Sequence, residues 1–178
     1  LNRKTSPPPP RQLPTIMSSP SPLSTLYFIL TVGMAMILRL MSLSPLCDIL
    51  NPDWILLVVV YWSMALPERF GVFTGWMVGL MTDVLTGRML GQYALIYAVI
   101  AYFSVREHRR LRQFPILHQC LFVFYFLLFA KLVIFGLESL KAGNRLGLEF
   151  WYSAFSSVLA WPPVFWALRY VRVVARIV

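Results

Sequence analysis

The sequence predicts an all-α integral membrane protein, a compact bundle of six transmembrane helices with both termini on the cytoplasmic side, and three observations lead there. Of 178 residues, 58% are apolar, 15% aromatic and only 13% charged, against roughly a quarter charged in an ordinary soluble domain. Mean hydropathy is +0.68, which leaves too few polar side chains to coat a globule in water, so much of the apolar surface must face lipid. The apolar residues also fall into six runs of helical length, with the cations distributed unevenly between them. In a soluble domain, the formal charge of +9 from 16 Lys and Arg against 7 Asp and Glu would suggest nucleic acid. Here it reflects orientation in the bilayer, and no nucleic-acid partner is expected. Cys47 and Cys120 are far apart in the sequence and form no CxxC arrangement, so neither a disulfide framework nor a metal site is expected.

Residues 1–22 carry a proline tract from Pro7 to Pro10, with Pro14, Pro20, Pro22, several serines, Arg3, Lys4 and Arg11 around it. Such a segment cannot bury a core and is expected to be a disordered cytoplasmic arm. Met17 stands just ahead of the first apolar run, and the arm is assigned no fold. Residues 23–41 make a first span, preceded by positive charge and followed by no small-residue cleavage site, so it is retained and not removed as a signal peptide.

The connector 42–53 holds Pro45, Asp48, Asn51, Pro52 and Asp53. Asn51 is placed to cap a second helix that begins at Pro52 and must stop or kink near Pro67. That second segment, 52–67, reaches about 22 Å at 1.5 Å per residue. It either sits inside the bundle where the bilayer is thinned or joins the third segment through a bend. Further spans are expected over 68–86, 89–105, 115–140 and 148–171. Pro162 and Pro163 fall inside the last and should kink it, leaving freed carbonyls for neighbours to satisfy.

Six crossings force the loops to alternate sides, so the positive-inside rule tests the count. With the N-terminus inside, the cytoplasmic set is Arg3, Lys4, Arg11, Arg69, Arg106, Arg109, Arg110, Arg112, Arg169, Arg172 and Arg176. Outside lie Arg39, Arg88, Lys141 and Arg145, with Lys131 left within the fifth span. Eleven against four is a clear bias, and without the arm it is still eight against four.

Gly71, Gly75 and Gly79 recur every four residues on the third span, a small-xxx-small pattern that lets another helix approach closely. That helix is either one of the protein's own or a foreign one. Asp83 continues the series at the edge of the same face. An ionised carboxylate there must point inward or toward an interface, and Lys131 lies level with it in the outer half of the bilayer. An intramembrane Asp83/Lys131 pair is therefore expected. The alternatives are snorkelling of Lys131, and bonding of Asp83 to Arg88 or to backbone of the 86–91 turn. Arg106, Arg109, Arg110 and Arg112, with His108 among them, form a solvated basic loop suited to anionic phospholipid headgroups. The tryptophans scatter across the spans as interface anchors or packing groups. Ser153, Ser156 and Ser157 have no histidine near them in the sequence and are expected to bond their own helix.

Enzyme signatures are scarce: no GxxxxGK[ST], GxSxG or HExxH occurs, and neither His108 nor His118 has a partner at metal-ligand spacing. No catalytic residue, cofactor or metal is expected. Pro52-Asp53-Trp54, Tyr61-Trp62, Ala65-Leu66-Pro67, Arg69, Gly71-Val72, Thr74-Gly75, Gly79, Asp83, Gly87, Leu90-Gly91 and Ile100-Ala101-Tyr102 resemble, in this order, the MreD family of rod shape-determining proteins. The resemblance extends over about 23–176 and is densest over 52–102. It implies a non-catalytic, multi-pass subunit of the bacterial inner membrane within the cell-elongation machinery. Its partners would be MreC, MreB, and RodA with its class B transpeptidase. Gly75, Gly79, Asp83, Gly87 and Gly91 match the family's most recognisable stretch, with Gly87 and Gly91 at its turn. Lys131 and the proline-rich arm are not part of that pattern. A competing class is a small-solute or lipid binder like the substrate-capture subunit of a vitamin transporter, in which Asp83, Gln92, Tyr93 and Lys131 would line an outward-open pocket.

Overall fold

The computed structural model describes residues 22–41, 51–87, 89–140 and 149–174. The expectations for the arm, for most of the connector 42–53, and for Arg88, Lys141, Arg145 and Arg176 lie outside these residues. Among the described residues there are seven helices and no strand. They are α1 (Pro22–Leu40), α2 (Trp54–Ala65), α3 (Val72–Thr86), α4 (Gln92–Arg106), α5 (His108–Gln113), α6 (Ile116–Leu140) and α7 (Glu149–Val174). By length and composition, α1 and α6 are long and apolar enough to cross a membrane, while α2 and α3 are shorter apolar helices.

The second segment starts later than expected. Asp53, not Asn51, is the N-cap of α2, and Pro52 lies ahead of the helix. Asn51 turns its side chain to the Trp54 indole N–H, 2.9 Å away. A carboxylate is favoured at this position because it faces the unsatisfied amides and the positive end of the helix. Every residue of α2 from Ile55 to Ala65 is buried. At 12 residues it measures only about 18 Å, so it is the enclosed centre of the bundle and packs against α1, α4, α5 and α7. Pro67 lies in the tight turn after it, and Phe70 and Arg69 donate their backbone N–H groups to the Leu66 carbonyl. The third helix therefore begins at Val72 and not at Glu68.

In lipid the apolar faces gain little by leaving their surroundings, so close packing and bonds between helices carry the association. Trp62 and Trp161 are fully buried. The Trp62 ring packs edge-on to Phe28 and Phe70, and its N–H donates to Thr31 Oγ1 of α1 at 3.0 Å. The Arg69 guanidinium also reaches back to Ser24 of α1. α7 continues as helix through Pro162 and Pro163.

The basic segment after α4 is not a plain loop. It folds as α5, whose Leu111 is buried, while Arg110 lies 3.4 Å from Glu107 at the surface. His108 contacts the Val105 carbonyl through Nδ1.

Candidate functional site

The most intimate pairing in the bundle is between α3 and α4, and the glycine spacing of α3 accounts for it. A Cβ added at Gly79 would lie 2.4 Å from Ala94 Cα and 2.5 Å from the Tyr93 carbonyl oxygen, and one at Gly75 2.7 Å from the Tyr97 carbonyl oxygen. The two backbones meet where only hydrogen fits. Gly71 takes no part: it is the N-cap of α3, with open space around it apart from Pro67. Of the two readings of this face, the structure therefore realises packing among the protein's own helices, since Gly75 and Gly79 are buried under α4.

Asp83 is fully buried at the end of that face. Its carboxylate accepts the backbone N–H groups of Gly91 and Tyr93, each at 2.8 Å, and of Ala94 at 3.3 Å. These amides belong to the first turn of α4 and the residue ahead of it, where helix geometry leaves them unpaired and the dipole is positive. The expected Asp83/Lys131 pair is thus replaced by a carboxylate clamped to a helix N-terminus. Such charge-assisted bonds contribute roughly 1.5–3 kcal/mol each. Lys131 lies half-buried on α6, a helix that packs chiefly on α7. The clamp requires the chain to reverse within a few residues. Gly87 and Gly91 do this with φ of 62° and 103°, a region that disfavours any residue bearing a Cβ.

Tyr93 carries the connection onward. Its phenol oxygen accepts from Arg39 Nη2 at 2.8 Å, and Arg39 Nη1 lies 3.0 Å from Asp53 Oδ1. Asp53 Oδ1 also accepts from the Tyr97 hydroxyl at 3.1 Å. The Asp53 N–H donates to Ser157 Oγ at 2.8 Å, and Ser157 in turn donates to the Ser153 carbonyl of its own helix at 2.6 Å. Asp83, Tyr93, Arg39, Asp53 and Ser157 thus form one polar relay through α3, α4, α1, α2 and α7.

By sequence, Arg39 counts among the outer cations and Asp53 stands at the end of the connector, and neither is assigned as a site residue. A signal was present in the capping position of Asp53 and in the Pro52-Asp53-Trp54 word. Of the candidates for an open pocket, Gln92, Tyr93 and Asp83 are at most 5% exposed, enclosed within the bundle, and Lys131 is half-buried on α6. Arg106 donates to the Tyr102 hydroxyl at 3.2 Å on an exposed face, and Arg109 and Arg110 are exposed beside it.

An apolar groove is open on the side of the bundle. It encloses about 410 Å³ between α1, α2 and α7, and its walls include Met34, Leu38, Val58, Val164 and Ala167.

Lipid-compatible outer faces around a core joined by interhelical polar bonds define a helical membrane protein with hydrogen-bonded charges in its interior. The family of rod shape-determining proteins MreD matches residues 21–171. A Haemophilus influenzae protein described as Rod shape-determining protein MreD is 30% identical over 125 residues, covering 70% of this chain and 77% of the relative. The chain belongs to the MreD family, and is therefore a non-enzymatic membrane protein of bacterial cell-shape determination. No solved structure matches it.

Proposed function

We propose that the chain is a multi-pass inner-membrane adaptor of the cell-elongation complex. In this reading it seats the transmembrane helix of MreC and couples it to MreB and to RodA with its class B transpeptidase. The observation that carries the reading is the groove between α1, α2 and α7. Because the glycine face of α3 is already covered by α4, a foreign helix needs another concave apolar surface, and this groove offers one. Van der Waals fit is the main attraction available to such a helix in lipid. Ala167 lies exposed at its wall, so Ala167→Trp fills the groove without entering the core. Affinity purification in mild detergent is expected to recover MreC in fixed ratio with the wild type and at roughly one-tenth of that with the variant. Equal recovery would place the helix elsewhere, and no recovery with the wild type would end the adaptor reading.

The same proposal has six crossings with both termini cytoplasmic. The short α2 fits because protein surrounds it and it need not match the roughly 30 Å hydrocarbon thickness. In this reading α2, α3 and α4 cross in alternating directions, joined by the turn at Pro67 and by the positive-φ glycines Gly87 and Gly91. The basic helix α5 then meets anionic phospholipid on the cytoplasmic side. In a background lacking cysteine, Arg110→Cys is expected to react with a membrane-impermeant maleimide only after the inner face is opened, and Arg145→Cys in intact spheroplasts. The reverse pattern would invert the topology.

A further inference from the structure

A second cavity, of about 200 Å³, lies at the opposite end of the bundle from the polar relay, where the C-terminal turns of α2 and α7 meet α5 and the start of α6. Arg169 and Arg172 stand on its α7 side, Met64, Leu111 and Phe165 supply apolar wall, and Gln119 of α6 contributes its amide. Gln119 is 5% exposed. Its Nε2 donates to the carbonyls of Leu111 at 3.0 Å and Phe114 at 3.2 Å, which fixes the amide's orientation, because the flipped form would set oxygen against oxygen. Its Oε1 is left buried with no hydrogen-bond partner. A buried acceptor without a donor is costly, and here it belongs to a side chain that lines a cavity also bordered by two guanidinium groups.

We infer that this cavity binds the headgroup of an anionic phospholipid that carries a hydroxyl beyond its phosphate, phosphatidylglycerol being the simplest such lipid. Arg169 and Arg172, three residues apart on one helix face, hold the phosphodiester, since guanidinium matches the paired oxygens of a phosphate. The headgroup hydroxyl donates to Gln119 Oε1. The apolar wall of Met64, Leu111 and Phe165 accommodates the glycerol ester region above it. This deepens the lipid contact proposed above and rests on that end of the bundle lying at a headgroup layer; the docking of MreC is a separate matter with its own readout. Two requirements distinguish the site from a diffuse basic surface: a phosphate held at two particular arginines, and a donor on the headgroup.

The test is native mass spectrometry of the full chain titrated with lipids of identical acyl chains. Phosphatidylglycerol is expected to bind at one site several-fold more tightly than phosphatidylmethanol, which has the same charge and no hydroxyl. Arg169→Gln/Arg172→Gln should weaken phosphatidylglycerol binding roughly tenfold. Arg3→Gln/Arg11→Gln removes the same charge from the N-terminal arm and should leave binding within about twofold. Equal binding of the two lipids by the wild type would overturn the assignment of Gln119. Equal weakening by the two double variants would reduce the effect to surface charge. Displacement of the lipid by free glycerol phosphate at comparable concentration would assign the cavity to a soluble phosphate compound and overturn the lipid reading. These readouts do not depend on MreC, so their failure leaves the adaptor proposal standing, and failure of MreC recovery leaves them interpretable.

Discussion

Replacing Gly79 by alanine is expected to lower the stability of the protein by about 3 kcal/mol or more, although the change adds one methyl group and raises intrinsic helix propensity. The added carbon would meet Ala94 Cα at 2.4 Å, the Tyr93 carbonyl oxygen at 2.5 Å and the Ala94 nitrogen at 2.6 Å. All three are backbone atoms and cannot rotate away. To restore a carbon separation near 3.5 Å the helices must part by about 1 Å, and a gap of that size forfeits a quarter to a half of the dispersion energy along the seam. The separation also pulls Asp83 from the amides of Gly91 and Tyr93, both now at 2.8 Å, so a buried carboxylate loses its donors as well. Gly33 is the comparison within the same protein: a Cβ there meets nothing within 4 Å. Gly33→Ala should therefore be neutral or stabilise by a fraction of a kcal/mol, as glycine in a helix interior is unfavourable. Fluorescence-detected thermal melts in detergent compare the two directly. Equal melting of both variants and the wild type would mean that the α3/α4 seam is looser than the structure shows.

That seam was half legible in the sequence. The spacing of Gly75 and Gly79 specified a close approach, because small residues at every fourth position have few other uses in an apolar helix. What approaches could not be read, since any helix with small or flat residues fits the pattern. Asp83 shows the limit more sharply. A search for its partner among charged side chains leads to Lys131, at the same depth, whereas its donors are backbone amides beginning eight residues on. Every residue but proline carries such an amide, so composition does not mark the ones that are free. Only the positions of the helix start and of the Gly87 and Gly91 reversals identify them. The all-helical architecture was readable because long apolar runs in lipid satisfy their backbone as helix. The start of α2 moved by two residues because Asp53, two positions after Asn51, takes the cap, and the bond from the Trp54 indole to Asn51 depends on a rotamer. Counting Arg39 as an outer charge concealed its partner, although the two residues flank a single connector.

The Arg39/Asp53 pair should show the second large effect, and its size follows from which partner is removed. Arg39 and Asp53 side chains are 20% and 8% exposed, so both charges are largely withdrawn from water. Arg39→Met leaves the Asp53 carboxyl group with the Tyr97 hydroxyl at 3.1 Å and a long contact from the Leu56 amide at 3.5 Å, and it removes the donor to Tyr93. Breaking a buried pair from one side generally costs about 3–5 kcal/mol, because the remaining charge is uncompensated. Asp53→Asn strands the arginine instead, though Tyr93 still accepts from it at 2.8 Å and its greater exposure softens the loss. The double variant Arg39→Met/Asp53→Asn carries neither charge and keeps an uncharged acceptor for Tyr97 and for the first turn of α2. It should be more stable than Arg39→Met alone, with a coupling energy of about 1–3 kcal/mol in the double-mutant cycle. Unfolding midpoints of the four proteins in one detergent provide the cycle. Strict additivity would show that each residue acts through its own packing, and the relay from Asp83 to Ser157 would then be a set of separate contacts. A strong coupling would instead mean that α1, α2 and α4 are held as a unit at this end of the bundle. The groove between α1, α2 and α7 would then have walls fixed before any partner arrives, which favours affinity because less ordering is required on binding. In that case Arg39→Met should also weaken recovery of MreC, although neither Arg39 nor Asp53 lines the groove.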